Sequence, residues 1–537
     1  MIGVLRAHPP HFWPVQRWVG VASERNPQRG PSPHLPAHRL RQPTGTKTTS
    51  TAPFRSLSAP LITFLVALLV VGWGAWRPVF GVDEYLTQSA VERSWADLFV
   101  WMSTTDPAPA PYYVLIKLWS YVSTDLFWLR IPSILAMAGA LTVVTGLVRR
   151  LAGTAIGGLT FLVLLSLPII SRFGQENRPY AFALLATVLA VACWIRIVVR
   201  PGSRRSMVWF GLAVAGMGLA HLYTLTMIGA LAVACLLRPP GERARAVRRT
   251  VGPAVVALVA ISPHIAANLR HPTGSPTDGP LTSGSLTALL VRMLPIPVAV
   301  GLLVLVGLGV AYAVRTPRVR QAAVLALCWS FVPTLTLLVA KVTVDLPATK
   351  ARYFVFVMPA VALLAALGLR QLAVWWRPLA LVALTVLVVA GLPRQVEIRA
   401  VDGHNRDSAL SSMLRVAADR QIPIVAANRQ AIRLVHAATY PHVRLSRSVD
   451  PGTTHYAMVV ERVRYAAAVP DRFVFYRQPG PWRQVLRCSV AQSVVLVFES
   501  REAALRDGDP GPEELGAQLS DATSGLVSCD RVDELTR

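Results

Sequence analysis

Four short stretches carry side chains whose types and spacing suit group transfer at a membrane surface. "VFGVDEYLTQS", residues 79 to 89, sets Asp83 beside Glu84 just past an apolar run. A carboxylate there can take the proton of an attacking hydroxyl or hold a cation that acts electrostatically. The same pair would also make an ordinary solvated helix start, where acids are favoured. "RFGQENRPYAF", residues 172 to 182, crowds Glu176, Arg178 and Tyr180 together with Arg172 and Gln175 into one turn between two apolar stretches. Arginine suits a phosphate held bidentately, and Glu176 could orient it or serve as a second acid, unless the two signs simply pair with each other. "KVTVDLPATKARYF", residues 341 to 354, gathers Lys341, Lys350, Arg352 and Tyr353 ahead of another apolar run. Such a cluster fits a lipid-linked phosphate, and equally fits snorkelling anchors. "AHLYTL", residues 220 to 225, puts His221 and Tyr223 at the end of two short apolar stretches, and an ionisable residue at membrane depth is a functional hypothesis by default.

The elements that must position these groups are apolar helices. The chain of 537 residues is 53% hydrophobic and 15% charged, with many apolar stretches separated by short basic loops, the composition of a multi-span helical membrane protein. Its net charge of +26 does not point to nucleic acid, because the cations sit between spans and in the N-terminal tail, where the positive-inside rule wants them. Only four of the 54 cations are lysine, and with abundant Ala, Val and Pro this excess of arginine reads as the codon bias of a GC-rich bacterial genome. Residues 1–56, rich in Pro, Arg, His and Ser, read as a disordered cytoplasmic tail, or as the product of a start placed too early.

Basic clusters at Arg149-Arg150, Arg200 to Arg205, Arg238 to Arg249, Arg315 to Arg320 and Arg370 to Arg377 set the topology if all are cytoplasmic. The spans then fall at roughly 58–76, 130–148, 152–171, 180–199, 206–222, 223–237, 250–267, 288–314, 321–340, 353–370 and 378–394. That makes eleven within a membrane module of residues 57–394, with variants of twelve or thirteen open. Residues 111–124 are too short for the hydrocarbon core and read as an interfacial helix in a first outer loop, 77–129. Of eleven acids before residue 395, nine fall in outer loops: Asp83, Glu84, Glu92, Asp97, Asp106, Asp125, Glu176, Asp278 and Asp345. Acids contribute little to orientation, so their crowding on one face asks for a functional cause.

Residues 395–537 hold the other 17 of the 28 acids and alternate in type. Helices near 406–419 and 429–438, with strands at "IPIVAAN", "YAMVVERV", "RFVFYR" and "SVVLVFES", predict a small extracytoplasmic α/β domain. Cys488 and Cys529 could pair there, whereas Cys193, Cys235 and Cys328 lie in apolar runs and read as packing residues. No Walker A motif, G-x-G-x-x-G after a strand, H-E-x-x-H or paired C-x-x-C occurs, which argues against a cytosolic nucleotide-driven reaction.

The order and spacing of "DEYLTQS", "DPAPAPYYVLIKLW", "WLRIPSILAMAGAL", "SRFGQENRPYAFALL", "AHLYTL" and "ARYFVFVMPAVALLAALGL" over residues 58–372 resemble the GT-C membrane glycosyltransferases, in the branch of protein O-mannosyltransferases and lipid A aminoarabinose transferases. The resemblance implies an all-α polytopic fold with a small C-terminal α/β domain. It implies inverting transfer of a mannose- or arabinose-like sugar from a polyprenyl-phosphate donor to a glycan, lipid or protein hydroxyl outside a bacterial plasma membrane. Asp83 matches the family's catalytic carboxylate, with Glu84 beside it. Glu176, Arg178 and Tyr180 match a loop motif Q-E-x-R-x-Y, and Arg352-Tyr353 match an Arg-Tyr that begins a late span. The catalytic set is thus Asp83, Glu84 and Glu176, with Arg178, Tyr180, His221, Lys350, Arg352, Tyr353 and Asp106 on the donor phosphate or substrate. Where relatives read H-P-P-L-Y-Y, this chain reads Asp106-Pro107-Ala108-Pro109-Ala110-Pro111-Tyr112-Tyr113, which puts a metal or substrate role at that spot in doubt. No metal ligand is nominated and a divalent metal is left open. A transporter or flippase of a lipid-linked glycan is the competing class, although no internal repeat is visible.

Overall fold

In a computed structural model, the described residues are 55–78, 81–104, 106–199, 204–270, 281–346, 350–400, 403, 408–426, 435, 454–462, 482–490, 493–502, 510–523 and 529–531. All but the last two residues of the expected cytoplasmic tail 1–56, the predicted strand "RFVFYR" and most of the predicted helix 429–438 lie outside them.

Helix α1 (Arg55–Gly72) is followed by three short helices, α2 (Val82–Glu92), α3 (Trp95–Thr104) and α4 (Ala110–Trp119). Then come α5 (Leu126–Ala152), α6 (Thr154–Ser166), α7 (Pro168–Gln175), α8 (Tyr180–Val199), α9 (Arg204–Ala220) and α10 (Thr226–Leu236). The membrane part continues with α11 (Pro240–Ala260), α12 (Ser262–Arg270), α13 (Ser283–Met293), α14 (Ile296–Arg315), α15 (Pro317–Val344), α16 (Met358–Trp375) and α17 (Arg377–Ile398). Among the described residues six helices are long and apolar enough to cross a membrane, or eight if each of two bent pairs is one span. The chain is a multi-pass membrane protein. The predicted 180–199 coincides with α8, but three other spans break. The 152–171 stretch bends by 67° between α6 and α7, the 250–267 stretch by 57° between α11 and α12, and 288–314 divides into α13 and α14. Each break meets a proline (Pro168, Pro263, Pro295), which removes a backbone donor and pushes the preceding residue out of the helical region.

Helix α5 is central, packing against α1, α6 and α8. Helices α14 and α16 cross closely because Gly309 and Gly368 carry no Cβ; one added at either would stand 2.0 Å from a carbonyl oxygen of the facing helix. Helix α17 turns Leu381, Val382 and Val389 outward, as a lipid-facing helix should.

The C-terminal part holds α18 (Ser408–Asp419), α19 (Pro512–Asp521) and a five-stranded sheet ordered β1 (Ile424–Ala426), β2 (Tyr456–Arg462), β4 (Ser493–Ser500), β3 (Trp482–Val490) and β5 (Cys529–Arg531). Strand β1 runs parallel to β2 and the other pairs are antiparallel. Leu410, Met413 and Leu414 of α18 and Leu515 and Leu519 of α19 bury one face against Met458, Val495 and Val497. Cys488 and Cys529 are a cross-strand pair joined by a disulfide. Strands β3 and β5 and helix α19 are absent from the sequence expectation.

Candidate active site

Helix α2 explains why two adjacent carboxylates stand at the exit of α1. Successive residues on a helix point about 100° apart, so one acid enters the protein while its neighbour stays partly exposed. Glu84 is the inward one. Its Oε1 accepts from Arg130 Nε and from the backbone N–H of Asn177, both at 2.8 Å. Its Oε2 accepts from Arg130 Nη2 at 2.7 Å and from the N–H of Gly81 at 2.9 Å, and neither side chain has any exposure. Arg130 Nη1 also donates to the carbonyls of Ala75 and Pro78 at 2.8 and 2.7 Å. The ion pair therefore ties α2, the α1 exit turn, α5 and the 176–179 turn into one body. A catalytic role for Glu84 is corrected: four hydrogen bonds and full burial leave it no access to a substrate.

Asp83 is 28% exposed and forms an ion pair with Arg352, which is 20% exposed. Arg352 stands in a 3-10 turn, Ala351–Val357, that leads into α16. Its guanidinium lies 5.9 Å from the Tyr180 ring centroid and 5.5 Å from that of Tyr353, both within cation–π range. Lys350 occupies the N-cap of the same turn.

His221, which caps the 3-10 turn Leu222–Leu225, completes an aromatic wall. Its ring centroid is 5.1 Å from those of Tyr223 and Tyr353 and 5.9 Å from that of Tyr180. Nδ1 accepts from the N–H of Tyr223 at 3.3 Å, so the imidazole is neutral at that nitrogen.

The turn between α7 and α8 supplies Glu176, Asn177 and Arg178, all buried. Glu176 Oε2 is 3.8 Å from Arg172 Nη2 and has no hydrogen-bond partner, and the Nε atoms of Arg178 and Arg352 are likewise buried without one. Burial pushes the Glu176 carboxyl above the usual carboxylate range, against the pull of Arg172. Arg178 Nη1 donates to the Tyr113 hydroxyl at 2.9 Å, and Tyr113 in turn donates to Asp106 Oδ2 at 2.5 Å. Asp106 is thus buried in a protein network, which corrects its expected place on the donor phosphate; a second anion there would also repel one. Lys341, buried, pairs with Asp345 at 2.5 Å rather than with the site.

Asp83, Arg352, Tyr180, Tyr353 and His221 are brought together, with Glu176 and Arg178 beneath them. Arg130, Tyr112, Tyr113 and Asn177 do structural work here that sequence reasoning did not assign. The one available signal was Arg130, a cation four residues inside an apolar stretch, which demands a buried partner. Among the described residues no three His, Cys, Asp or Glu side chains gather as a metal-binding set.

Beside this cluster an apolar groove of about 560 Å³ runs between α4, α8 and α9. It starts at Tyr112 and Pro179 and ends at Arg196 and Trp209, about 25 Å along α8 and close to the thickness of a bilayer's hydrocarbon.

The family model described as Dolichyl-phosphate-mannose-protein mannosyltransferase matches residues 106–266, which include the 176–180 turn and His221. The crystal structure of ArnT from Cupriavidus metallidurans bound to undecaprenyl phosphate superposes with a TM-score of 0.52 at 16% identity, covering 85% of this chain and all of ArnT. The chain has the GT-C membrane glycosyltransferase fold. The apo state of the same ArnT matches equally, with 84% of this chain covered. The oligosaccharyltransferase AglB from Archaeoglobus fulgidus gives a TM-score of 0.45 at 12% identity, over 77% of this chain and 70% of AglB. Comparison with curated proteins gives no match. On this GT-C frame the 3-10 turn before α16, the α7–α8 turn and α2 meet at the Asp83–Arg352 pair and the Glu84–Arg130 pair.

Proposed function

We propose that this GT-C chain moves a sugar, mannose- or arabinose-like, from a polyprenyl-phosphate carrier to a hydroxyl of a cell-envelope glycan, lipid or protein, on the extracytoplasmic face of a bacterial plasma membrane. One observation carries the reading: the partly exposed Asp83 is paired with the partly exposed Arg352 in front of an aromatic wall, which puts a base and a phosphate-binding cation in one place. The donor phosphate draws Arg352 away from Asp83, since a phosphate offers a guanidinium two oxygens in fork geometry. The freed carboxylate of Asp83 then takes the proton of the acceptor hydroxyl as its oxygen forms a bond to the anomeric carbon. The bond from that carbon to the phosphate oxygen breaks, its electron pair leaves with the polyprenyl phosphate, and Arg352 stabilises the charge that develops there. A single attack opposite the leaving group inverts the anomeric centre. Tyr180, Tyr353, Tyr223 and His221 offer faces for a sugar, Lys350 and Arg178 add positive potential, and Glu176 orients Arg172. The apolar groove suits the carrier's hydrocarbon chain. The C-terminal domain sits on the same outer side, where an oxidising compartment preserves the Cys488–Cys529 disulfide.

The test is consumption of radiolabelled polyprenyl-phosphate sugars by purified protein in nanodiscs, with wild type beside Asp83→Asn. Wild type should release polyprenyl phosphate from one donor and the variant should not. Equal consumption by both, or none by wild type across the panel, defeats the reading.

A further inference from the structure

Four carboxylates lie at this site, and each has its own arginine. Asp83 has Arg352, Glu84 has Arg130 at 2.7 Å and Glu176 has Arg172 at 3.8 Å. Asp106 and Arg178 make the fourth couple, and they do not touch: the Tyr113 hydroxyl lies between them, donating to the carboxylate and accepting from the guanidinium. Tyr113 is fully buried, its ring packs 5.0 Å from that of Trp101, and Arg178 lies 5.8 Å over its face. Its neighbour Tyr112 reaches the other way, donating to Asn177 Oδ1 at 2.8 Å. Two consecutive tyrosines of α4 therefore grip two consecutive residues of the α7–α8 turn.

A buried guanidinium must find a counter-charge, and two carboxylates compete for Arg178. Glu176 is two residues away in the same turn, with an oxygen that has no hydrogen-bond partner. An Arg178 turned onto Glu176 would compete with Arg172 for that carboxylate. Asp106 prevents this from the far side, across Tyr113.

We infer that Asp106 and Tyr113 are positioning residues: the carboxylate, relayed by the tyrosine hydroxyl, anchors Arg178 on the α4 side of the turn and keeps it off Glu176. Asp106 is a residue that the family pattern H-P-P-L-Y-Y does not contain at this place, and its functional consequence alone rests on the donor site proposed above. Asp106 supplies charge to Arg178 and none to the substrate.

Full-length protein in nanodiscs gives the test, with two measurements. In a thermal-melting cycle, Asp106→Asn and Arg178→Gln each lower the melting temperature, and the double variant melts above the sum of the two losses because neither charge is left buried alone. Strict additivity overturns the pairing. Undecaprenyl phosphate binding, with the lipid itself as probe, reads the positioning role. Tyr113→Phe keeps the ring against Trp101; it lowers the melting temperature less than Arg178→Gln and stays folded at the binding temperature, yet weakens binding at least tenfold, and adds nothing once Arg178 is Gln. Wild-type affinity in Tyr113→Phe alongside a loss in Arg178→Gln overturns the relay. If wild type binds no undecaprenyl phosphate, the donor site proposed above fails instead, and the melting cycle decides the pairing by itself.

Discussion

Arg352, at the threshold of α16, neutralises Asp83, on the first turn of α2, although 269 residues separate them in the chain. If Asp83 is the base proposed above, Arg352 must be drawn off before the carboxylate can take a proton. The pair also makes Asp83 and a donor phosphate rivals for one guanidinium. Asp83→Asn should therefore bind undecaprenyl phosphate more tightly than wild type while transferring sugar about 10² to 10⁴ times more slowly, the range a positioned base contributes. Equilibrium binding and single-turnover transfer on the same preparation check both halves. Weaker binding by Asp83→Asn would show that the carboxylate assists the donor rather than competing with it.

Glu84 should behave in the opposite way to its neighbour. Glu84→Gln leaves Arg130 buried without its counter-ion, and breaking a buried pair from one side costs about 3–5 kcal/mol. Thermal melting in detergent should drop strongly for Glu84→Gln and hardly at all for Asp83→Asn. If both variants melt like wild type, the hub described around Arg130 is not holding the α1 exit.

The sequence marks α8 to the residue, because Pro179 fixes its start and Arg200 follows its end. Charge placement likewise places helices at the other predicted spans, and the short apolar stretch at 111–124 becomes the ten-residue α4. The breaks at Pro168, Pro263 and Pro295 fall inside continuously apolar runs, where hydropathy is blind to backbone direction. The candidate site divides in the same manner. Residue type and chain order put Asp83, Arg352, Tyr180, Tyr353 and His221 on one face. They do not say which of two adjacent acids turns inward, because that depends on how α2 is rotated by Arg130, 46 residues away. Nor does the motif around Asp106 reveal that its carboxylate points at Tyr113. In the C-terminal part β2 and β4 are continuous apolar runs buried on both faces, whereas β3 carries Arg483, Gln484 and Arg487 at partly open positions and so lacks that signature.

The disulfide closes a 41-residue separation between a central strand and the edge strand β5. Since β5 is only three residues long, its hydrogen bonds alone hold it weakly, and the crosslink contributes up to about 4 kcal/mol by restricting the unfolded chain. The double variant Cys488→Ser/Cys529→Ser should free the end of the chain to proteases while leaving donor consumption near wild type. Alkylated wild-type protein should also migrate differently with and without reductant. Unchanged mobility would mean that the two thiols are not joined.

Glu176 sets a pH dependence whose sign follows from burial. Its folded-state carboxyl titrates above the ordinary value of 4.5, chiefly through desolvation, with Arg172 pulling the other way. A group raised in this way contributes stability that is fully present below the ordinary carboxyl pKa and is lost as pH climbs through the raised value. Wild-type melting temperature should accordingly decline as pH rises from the ordinary carboxylate range toward neutrality, and Glu176→Gln, which is neutral throughout, should flatten that decline. Activity should move against stability, because only the ionised carboxylate can orient Arg172: the acid limb of the pH–rate profile should lie above the usual carboxylate range and vanish from that position in Glu176→Gln. Parallel melting curves for the two proteins across the same pH series would show that burial of Glu176 does not govern its charge.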